Sequence, residues 1–349
     1  MTRLLSYYDE TNGNLKFVCR ERNKWENPEI VDSIGNVGLF SSLCFDIKGN
    51  PHISYYSKSD GSLKYARHTN SSWMLEEVDS DGDVGLFTSL ALDWDGNAYI
   101  AYYDRTNGIV KLAYQQNKQW ATRNVETIGL MQADEVSNDP LRISLVLDRS
   151  GQPLIAYHSY ISNNLKIAHW TGQNWDIEIV DNNSNVGEYS SLALNPEGYP
   201  GISYHSAYTN TQNGTLKYAE FDGKEWNIEV VDHSGKKFGA FSSLAFDKKG
   251  NPHISYFDDE RDTLKYAVRK NGIWQITGIT ANRLRLGFYS SIALDNNDNP
   301  YIAYFEFRGR DLRVHYWSDE SSRARYDLES AGSIGLYPSI KFIPDFLPQ

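Results

Sequence analysis

Apolar residues in this chain come in short runs broken by Asp, Asn, Gly or Pro, and no run holds a helical period over a useful length. The runs recur in a fixed order. The block "FSSLCFDIKGNPHISYY" at Phe40 returns as "FTSLALDWDGNAYIAYY" at Phe87, "RISLVLDRSGQPLIAYH" at Arg142 and "YSSLALNPEGYPGISYH" at Tyr189. It returns again as "FSSLAFDKKGNPHISYF" at Phe241 and "YSSIALDNNDNPYIAYF" at Tyr289, and a shortened copy, "YPSIKFIPDFLPQ", begins at Tyr337. One serine marks all seven copies: Ser42, Ser89, Ser144, Ser191, Ser243, Ser291 and Ser339. Successive markers lie 47, 55, 47, 52, 48 and 48 residues apart, the period of a repeat architecture.

Each full copy predicts four short strands. The first is "SSLALD"-like and ends in a "DxxGN" turn, where Asp and Gly supply the turn chemistry. The second is "PHISYY"-like, with Pro confined to its start. The third is "LKYA"-like, beginning at Leu63, Leu216 or Leu264, and the fourth begins with Trp (Trp25, Trp73, Trp120, Trp175, Trp226, Trp274) and ends near "VD". Four strands in a unit of this length mark a β-propeller blade.

The chain ends fix the number of blades. In complete copies a second-strand tyrosine follows the marker serine by 13 residues, as from Ser42 to Tyr55, yet only 10 residues follow Ser339. The chain opens with "LLSYYDETNGNLKFV", a second and third strand without a first, and Tyr7 fits the tyrosine slot. The expectation is an all-β, seven-bladed β-propeller with four antiparallel strands per blade, in one domain over residues 1–349. Its last blade combines the C-terminal inner strand (334–349) with N-terminal strands (1–32), which removes an open sheet edge.

The repeat "VGxFSSLAxDxxGNPHISYYD" resembles that of seven-bladed propellers in many uncharacterised bacterial proteins, over the whole chain. The resemblance also implies some likeness to lectin propellers and, at the level of fold, to the propeller part of cyanobacterial cyclophane-forming alkylating enzymes. No catalytic residue carries over from those enzymes. The "SxDxGxxW" box of sialidases and the "GH…WD" pairs of WD40 blades are missing. Function must therefore be argued from a site.

Composition narrows the classes. At 40% hydrophobic and 13% aromatic the chain can build a core and is unlike a disordered one. A net charge of −11 argues against nucleic acid, which needs a basic face to displace counterions. No apolar run approaches a membrane span, so no membrane partner is expected. Cys19 and Cys44 make no disulfide framework. "MTRLLSYYDE" lacks the apolar core of a signal peptide, which places the chain in the cytoplasm as written, or outside the cell if a signal segment has been removed. No phosphate cradle, zinc spacing or "GxSxG" elbow occurs, so neither cofactor nor metal is expected. "DWDGN" (Asp93 to Asn97) reads as a plain turn, because its sister "DIKGN" lacks the second carboxylate of a calcium loop.

In such a ring the loops leading into the inner strands and those joining second to third strands share one face, here called the top. Residues present in every blade read as structural, so the exceptions carry the functional expectation. Blade 3 has Arg142 where the other blades carry Phe or Tyr, and the longest lead-in loop, Thr127 to Pro140. Blades 3 and 4 have His158 and His205 where others have Tyr8, Tyr56, Tyr103, Phe257 and Phe305. Blade 4 has Glu188 where others have Leu39, Leu86, Ala240, Phe288 and Leu336. Two imidazoles and a carboxylate suit acid–base catalysis near neutral pH, with Arg142 and the neighbouring Tyr189 binding the ligand. The same residues also suit a structural reading, in which Arg142 pairs with Glu188 and the histidines hydrogen-bond within the fold. Arg283, Arg285, Arg308 and Arg310 lie on neighbouring loops of blades 5 and 6 and suit an anion, or pair with "DDERD" of the adjacent blade. The expected function is binding of a small polar or anionic molecule, carbohydrate included, at the channel mouth. The alternatives are an enzyme with one asymmetric site there (a lyase, cyclase or group-transfer catalyst) and a protein-interaction scaffold.

Overall fold

A blade in a ring is covered on both faces by its neighbours, so its inner strands bury every side chain and need no alternation. The second strands behave this way: Pro51–Ser57, Pro153–Ser159, Pro200–Ser206, Pro252–Asp258 and Pro300–Glu306 are buried throughout. The fourth strands form the outer rim, where exposed and half-buried residues mix. The computed structural model describes residues 2–21, 24–69, 72–131, 141–183, 185–206, 214–233, 238–279, 286–317, 323–329 and 332–343, and no helix occurs among them.

Blade 7 holds β1 (Thr2–Asp9), β2 (Asn14–Glu21), β3 (Lys24–Trp25) and β4 (Glu29–Asp32). Blade 1 is β5 (Val37–Phe45), β6 (Pro51–Ser57), β7 (Ser62–Thr69) and β8 (Ser72–Asp79), and blades 2 to 6 follow as antiparallel four-stranded sheets. The final strand, Ile334–Ile343, pairs antiparallel with β1, Ser6 lying opposite Ser339. The C-terminal inner strand and the N-terminal strands thus share one sheet and close the ring. The outer strand of this blade is split into β3 and β4, and Pro28, which has no N–H for the ladder, stands at the break.

The repeated residues are the joints between blades. Each marker serine Oγ accepts the backbone N–H of the residue that follows the next blade's marker: Leu90 N to Ser42 (3.0 Å), Leu145 N to Ser89 (2.9 Å) and Leu192 N to Ser144 (2.9 Å). Leu244 N to Ser191 (3.0 Å), Ile292 N to Ser243 (3.1 Å), Ile340 N to Ser291 (3.2 Å) and Leu43 N to Ser339 (3.1 Å) complete the circle. The second-strand tyrosines are wholly buried, and in blades 1 to 5 their hydroxyls donate to the acidic residue ending the previous blade. Tyr55 reaches Asp32 (2.8 Å), Tyr157 reaches Glu126 (2.7 Å) and Tyr204 reaches Asp181 (2.8 Å). Third-strand lysines join them, as Lys217 does at 2.9 Å from Asp181. At the rim, Trp120 and Trp274 donate their indole N–H to Glu76 (2.8 Å) and Glu229 (2.6 Å) of the preceding blade. Gly38 explains the "VG" before each inner strand: its φ is +107°, and a Cβ there would lie 2.7 Å from Leu15 Cα.

Candidate functional site

Around the axis the inner strands carry a bulge. Leu39 pairs with Tyr56 and Ser42 with Ser54, so Phe40 and Ser41 together face Tyr55. Phe40 takes a left-handed φ of 55°, and Phe87, Tyr189, Phe241, Tyr289 and Tyr337 repeat it at 51–55°. That conformation costs a bulky side chain about 1–2 kcal/mol. It turns each ring toward the axis, where neighbours pack at 4.4 Å (Tyr337–Phe40, Tyr289–Tyr337), 4.5 Å (Phe40–Phe87) and 4.7 Å (Tyr189–Phe241, Phe241–Tyr289).

Blade 3 breaks the pattern. Its inner ladder begins only at Ile143, and Arg142 is not among the left-handed residues. The Arg142 Cζ lies 5.2 Å from the Phe87 ring, 5.4 Å from Tyr189, and 5.7 Å from both Phe241 and Tyr289. Near-equal distances to flanking and far-side rings place the guanidinium on the channel axis, held by cation–π attraction. One of its N–H groups donates to Leu141 O (2.5 Å).

A top-face cavity of about 900 Å³ lies over blades 6, 7 and 1 and reaches blade 2. Its aromatic wall is Tyr8, Tyr56, Phe288, Phe305 and Phe307, with Tyr289 and Tyr337 of the axial ring, helped by Leu39 and Leu336. Phe288 packs against Phe257 (4.5 Å), Tyr289 (6.4 Å) and Phe307 (5.8 Å). Among the described residues the charged side chains on its rim balance: Glu10, Asp60 and Asp83 face Lys58, Arg105 and Arg310. Asp83 pairs with Arg105 and accepts the Tyr56 hydroxyl at 2.7 Å, while Glu10 accepts from Ser333 Oγ at 2.5 Å and lies 3.7 Å from Arg310. Burial and the Asp83 carboxylate push the Tyr56 phenol well above its usual range, so it stays a neutral donor.

The residues singled out in blades 3 and 4 fall elsewhere. His158 is buried and its Nδ1 donates to Val186 O (2.8 Å), at the start of the next blade's inner strand. Tyr8 and Tyr103 do the same for their next blades, reaching Asn36 Oδ1 and Gly129 O, both at 2.8 Å. His205 instead turns to its own blade: Nδ1 lies 2.9 Å from Glu188 Oε2, and the ring packs 6.2 Å from Tyr189. Glu188 thus pairs with His205 in the geometry described, where the structural reading of the sequence paired it with Arg142. Contacts run from Glu188 through His205 and Tyr189 to Arg142. None of His158, His205, Glu188 and Arg142 lines the large cavity. Arg308 is exposed, and Arg310 faces Glu10 of blade 7 where the acidic run of blade 5 was the expected partner. Arg283 and Arg285 lie outside the described residues, as does most of the long lead-in loop of blade 3.

The cavity's aromatic wall escaped the search for polar exceptions. The signal was present in blade 6, where Phe288 fills a slot that is elsewhere Leu, Ala or Glu and Phe307 follows two positions after Phe305. Aspartates cap the turns: Asp9 and Asp104 accept from Asn12 and Asn107, and in the plain turn read at Asp93 that residue accepts from Asp95 N and Asn97 N. Among the described residues no cluster of three or more His, Cys, Asp or Glu is placed to hold a metal ion.

The chain is a seven-bladed β-propeller. No family model matches it, and no curated protein sequence does. Solved structures share the ring. An ulvan lyase, a polysaccharide lyase, superposes with a TM-score of 0.59 at 10% identity, over 95% of this chain and 90% of its own. Another structure of that enzyme holds a -[GlcA(1-4)Rha3S]- saccharide. The Aleuria aurantia lectin in complex with Fucalpha1-6GlcNAc gives 0.54 at 12% identity, over 85% of this chain and 95% of its own. A putative 6-phosphogluconolactonase from Bacteroides uniformis gives 0.59 at 12% identity, over 98% and 99%. At these identities the likeness is one of fold.

Proposed function

We propose that this propeller binds an oligosaccharide in the cavity over blades 6, 7 and 1, as one asymmetric site per chain. The cavity's composition carries the reading: aromatic faces below and a charge-balanced, hydrogen-bonding rim above. Sugar C–H faces stack on aromatic rings, and hydroxyls need donors and acceptors in alternation, which Glu10, Lys58, Asp60, Asp83 and Arg105 supply. A strongly anionic ligand would call for an excess of cations, which the described rim residues do not supply. Arg310 on the rim, with Arg308 beside it, leaves room for one acidic group on the sugar. The Phe288–Phe307 contact belongs to blade 6, so the site does not repeat around the ring as a multivalent lectin's would.

Phe307 tests this directly because it is 47% exposed, so its truncation removes little packing. Calorimetric titration with a panel of neutral and mildly acidic oligosaccharides is expected to find a ligand that Phe307→Ala binds at least tenfold more weakly with an unchanged Tm. Unaltered binding by Phe307→Ala, or no ligand across the panel, rejects the reading.

A second reading rests on the blade 4 pair. With Glu188 accepting from Nδ1–H, His205 presents Nε2 as a proton acceptor, and that atom is buried without a hydrogen-bond partner among the described residues. His205 would be the general base, Glu188 its orienting carboxylate, His158 a second acid–base group, and Arg142 and Tyr189 the ligand contacts, in a lyase, cyclase or group-transfer reaction. This reading requires saccharide turnover that His205→Gln abolishes while binding persists.

A further inference from the structure

Below the aromatic ring the axis widens into a second cavity of about 170 Å³, distinct in character from the top-face one. Six of the seven marker serines line it, all but Ser89, together with the hydroxyl residues that precede several of them. The two hydroxyl sets are used differently. The preceding residues donate to backbone carbonyls of the neighbouring blade: Thr88 Oγ1 to Phe40 O (2.9 Å), Ser242 Oγ to Tyr189 O (2.9 Å) and Ser290 Oγ to Phe241 O (2.9 Å). Each marker serine oxygen instead accepts an N–H from the next blade. A hydroxyl has one proton to give, and no hydrogen bond among the described residues takes it from a marker serine. The cavity wall is therefore a ring of O–H donors.

Among the described residues that line this cavity, one side chain is charged at neutral pH, the guanidinium of Arg142. Tyr289 and Tyr337, the other ionisable groups there, have their phenols raised by burial and stay neutral. A chamber with one cation, a circle of hydroxyl donors and no carboxylate favours negative charge, and hydrogen bonds to an ionised acceptor are about twice as strong as neutral ones. A cation would be poorly held, because no described residue lining the chamber offers it a carboxylate.

We propose that this axial chamber is an anion site that holds one small oxyanion, a short carboxylate or an inorganic oxyanion, between the Arg142 guanidinium and the marker-serine hydroxyls. The site is independent of saccharide binding on the top face. Equilibrium dialysis of the full chain with radiolabelled sulfate, and separately with radiolabelled acetate, at constant ionic strength tests it and tells the two anion types apart. At least one of the two is expected to bind saturably at one per chain, at least tenfold more weakly in Arg142→Met and within about threefold of the parent in Arg142→Lys. Selenate soaked into crystals of the unaltered protein gives a readout that depends on no variant: its anomalous peak belongs on the channel axis within hydrogen-bond distance of Arg142. No saturable binding of either anion, equal binding by Arg142→Met, or a selenate peak away from the axis overturns the proposal.

Discussion

Blades 4 and 6 place different residues at the same two register positions. In blade 4 the cross-strand pair is Glu188 opposite His205, and in blade 6 it is Phe288 opposite Phe305. The backbones match, with the same bulge directly after that pair. The polar pair binds to itself, carboxylate to imidazole Nδ1 at 2.9 Å. The aromatic pair cannot, and leaves apolar surface that Phe257, Phe307 and Tyr289 share and that forms one wall of the large cavity. A polar exception in a symmetric ring can thus be the quiet one, whereas an aromatic exception builds a place for something to sit.

The most severe way to break this comparison is to write blade 4 into blade 6. Phe288→Glu with Phe305→His puts a carboxylate and an imidazole into an aromatic cluster, and Phe305 is only 3% exposed. A loss of roughly 3 kcal/mol in urea unfolding and complete loss of saccharide binding are expected. Retained binding would move the site away from this cavity.

A smaller effect comes from the buried histidines of blades 1 and 5, which share neither of the two register positions compared. His52 is buried against Tyr65 and near Asp46, and burial lowers its pKa from 6.5 to about 4; His253 shifts the same way for the same reason. A histidine whose pKa is lower folded than unfolded binds fewer protons in the native state. Its contribution is complete above about pH 6.5 and is lost as pH falls toward 4, by at most about 3 kcal/mol for His52. Denaturant midpoints measured from pH 7 to 4 should drop over that window, and His52→Gln should flatten the drop. A His52→Gln/His253→Gln protein should lose most of the drop over that window.

The mildest change writes the common repeat into blade 4. Glu188→Leu with His205→Phe replaces a hydrogen-bonded polar pair by the apolar residues of the common repeat, and stability should stay within about 1 kcal/mol of the parent. Saccharide affinity should be unchanged. Loss of binding would return the site to blades 3 and 4, and loss of turnover alone would support the catalytic reading.

The ring was legible in the sequence because its joints are residues that repeat. A marker serine, a buried tyrosine and an acidic strand end must recur in register if blades are to bond to one another, and the repeat displays them. Even closure by both chain ends was readable, since Tyr7 had to complete a blade that Ser339 began. The large cavity was not, because it arises from side-chain bulk and loop position in blades 6, 7 and 1, which no shared motif records. Arg142 was recognised as an exception, but its placement on the axis follows from the absent bulge of blade 3, a backbone change that the aligned residue alone does not reveal. Of the two described residues of the arginine group, Arg308 and Arg310, the second lines the cavity rim.

The seven serine joints all point the same way round the ring, each hydroxyl taking the N–H of the following blade. A chain of contacts with two ends can fray from either one; a circle has no end to fray. Releasing any blade must break both of its joints at once and leave an unpaired amide on one side and an orphaned hydroxyl on the other. The amides of Leu43, Leu90, Leu145, Leu192, Leu244, Ile292 and Ile340 therefore share one fate, and in hydrogen exchange they should open together, at the rate of the whole ring.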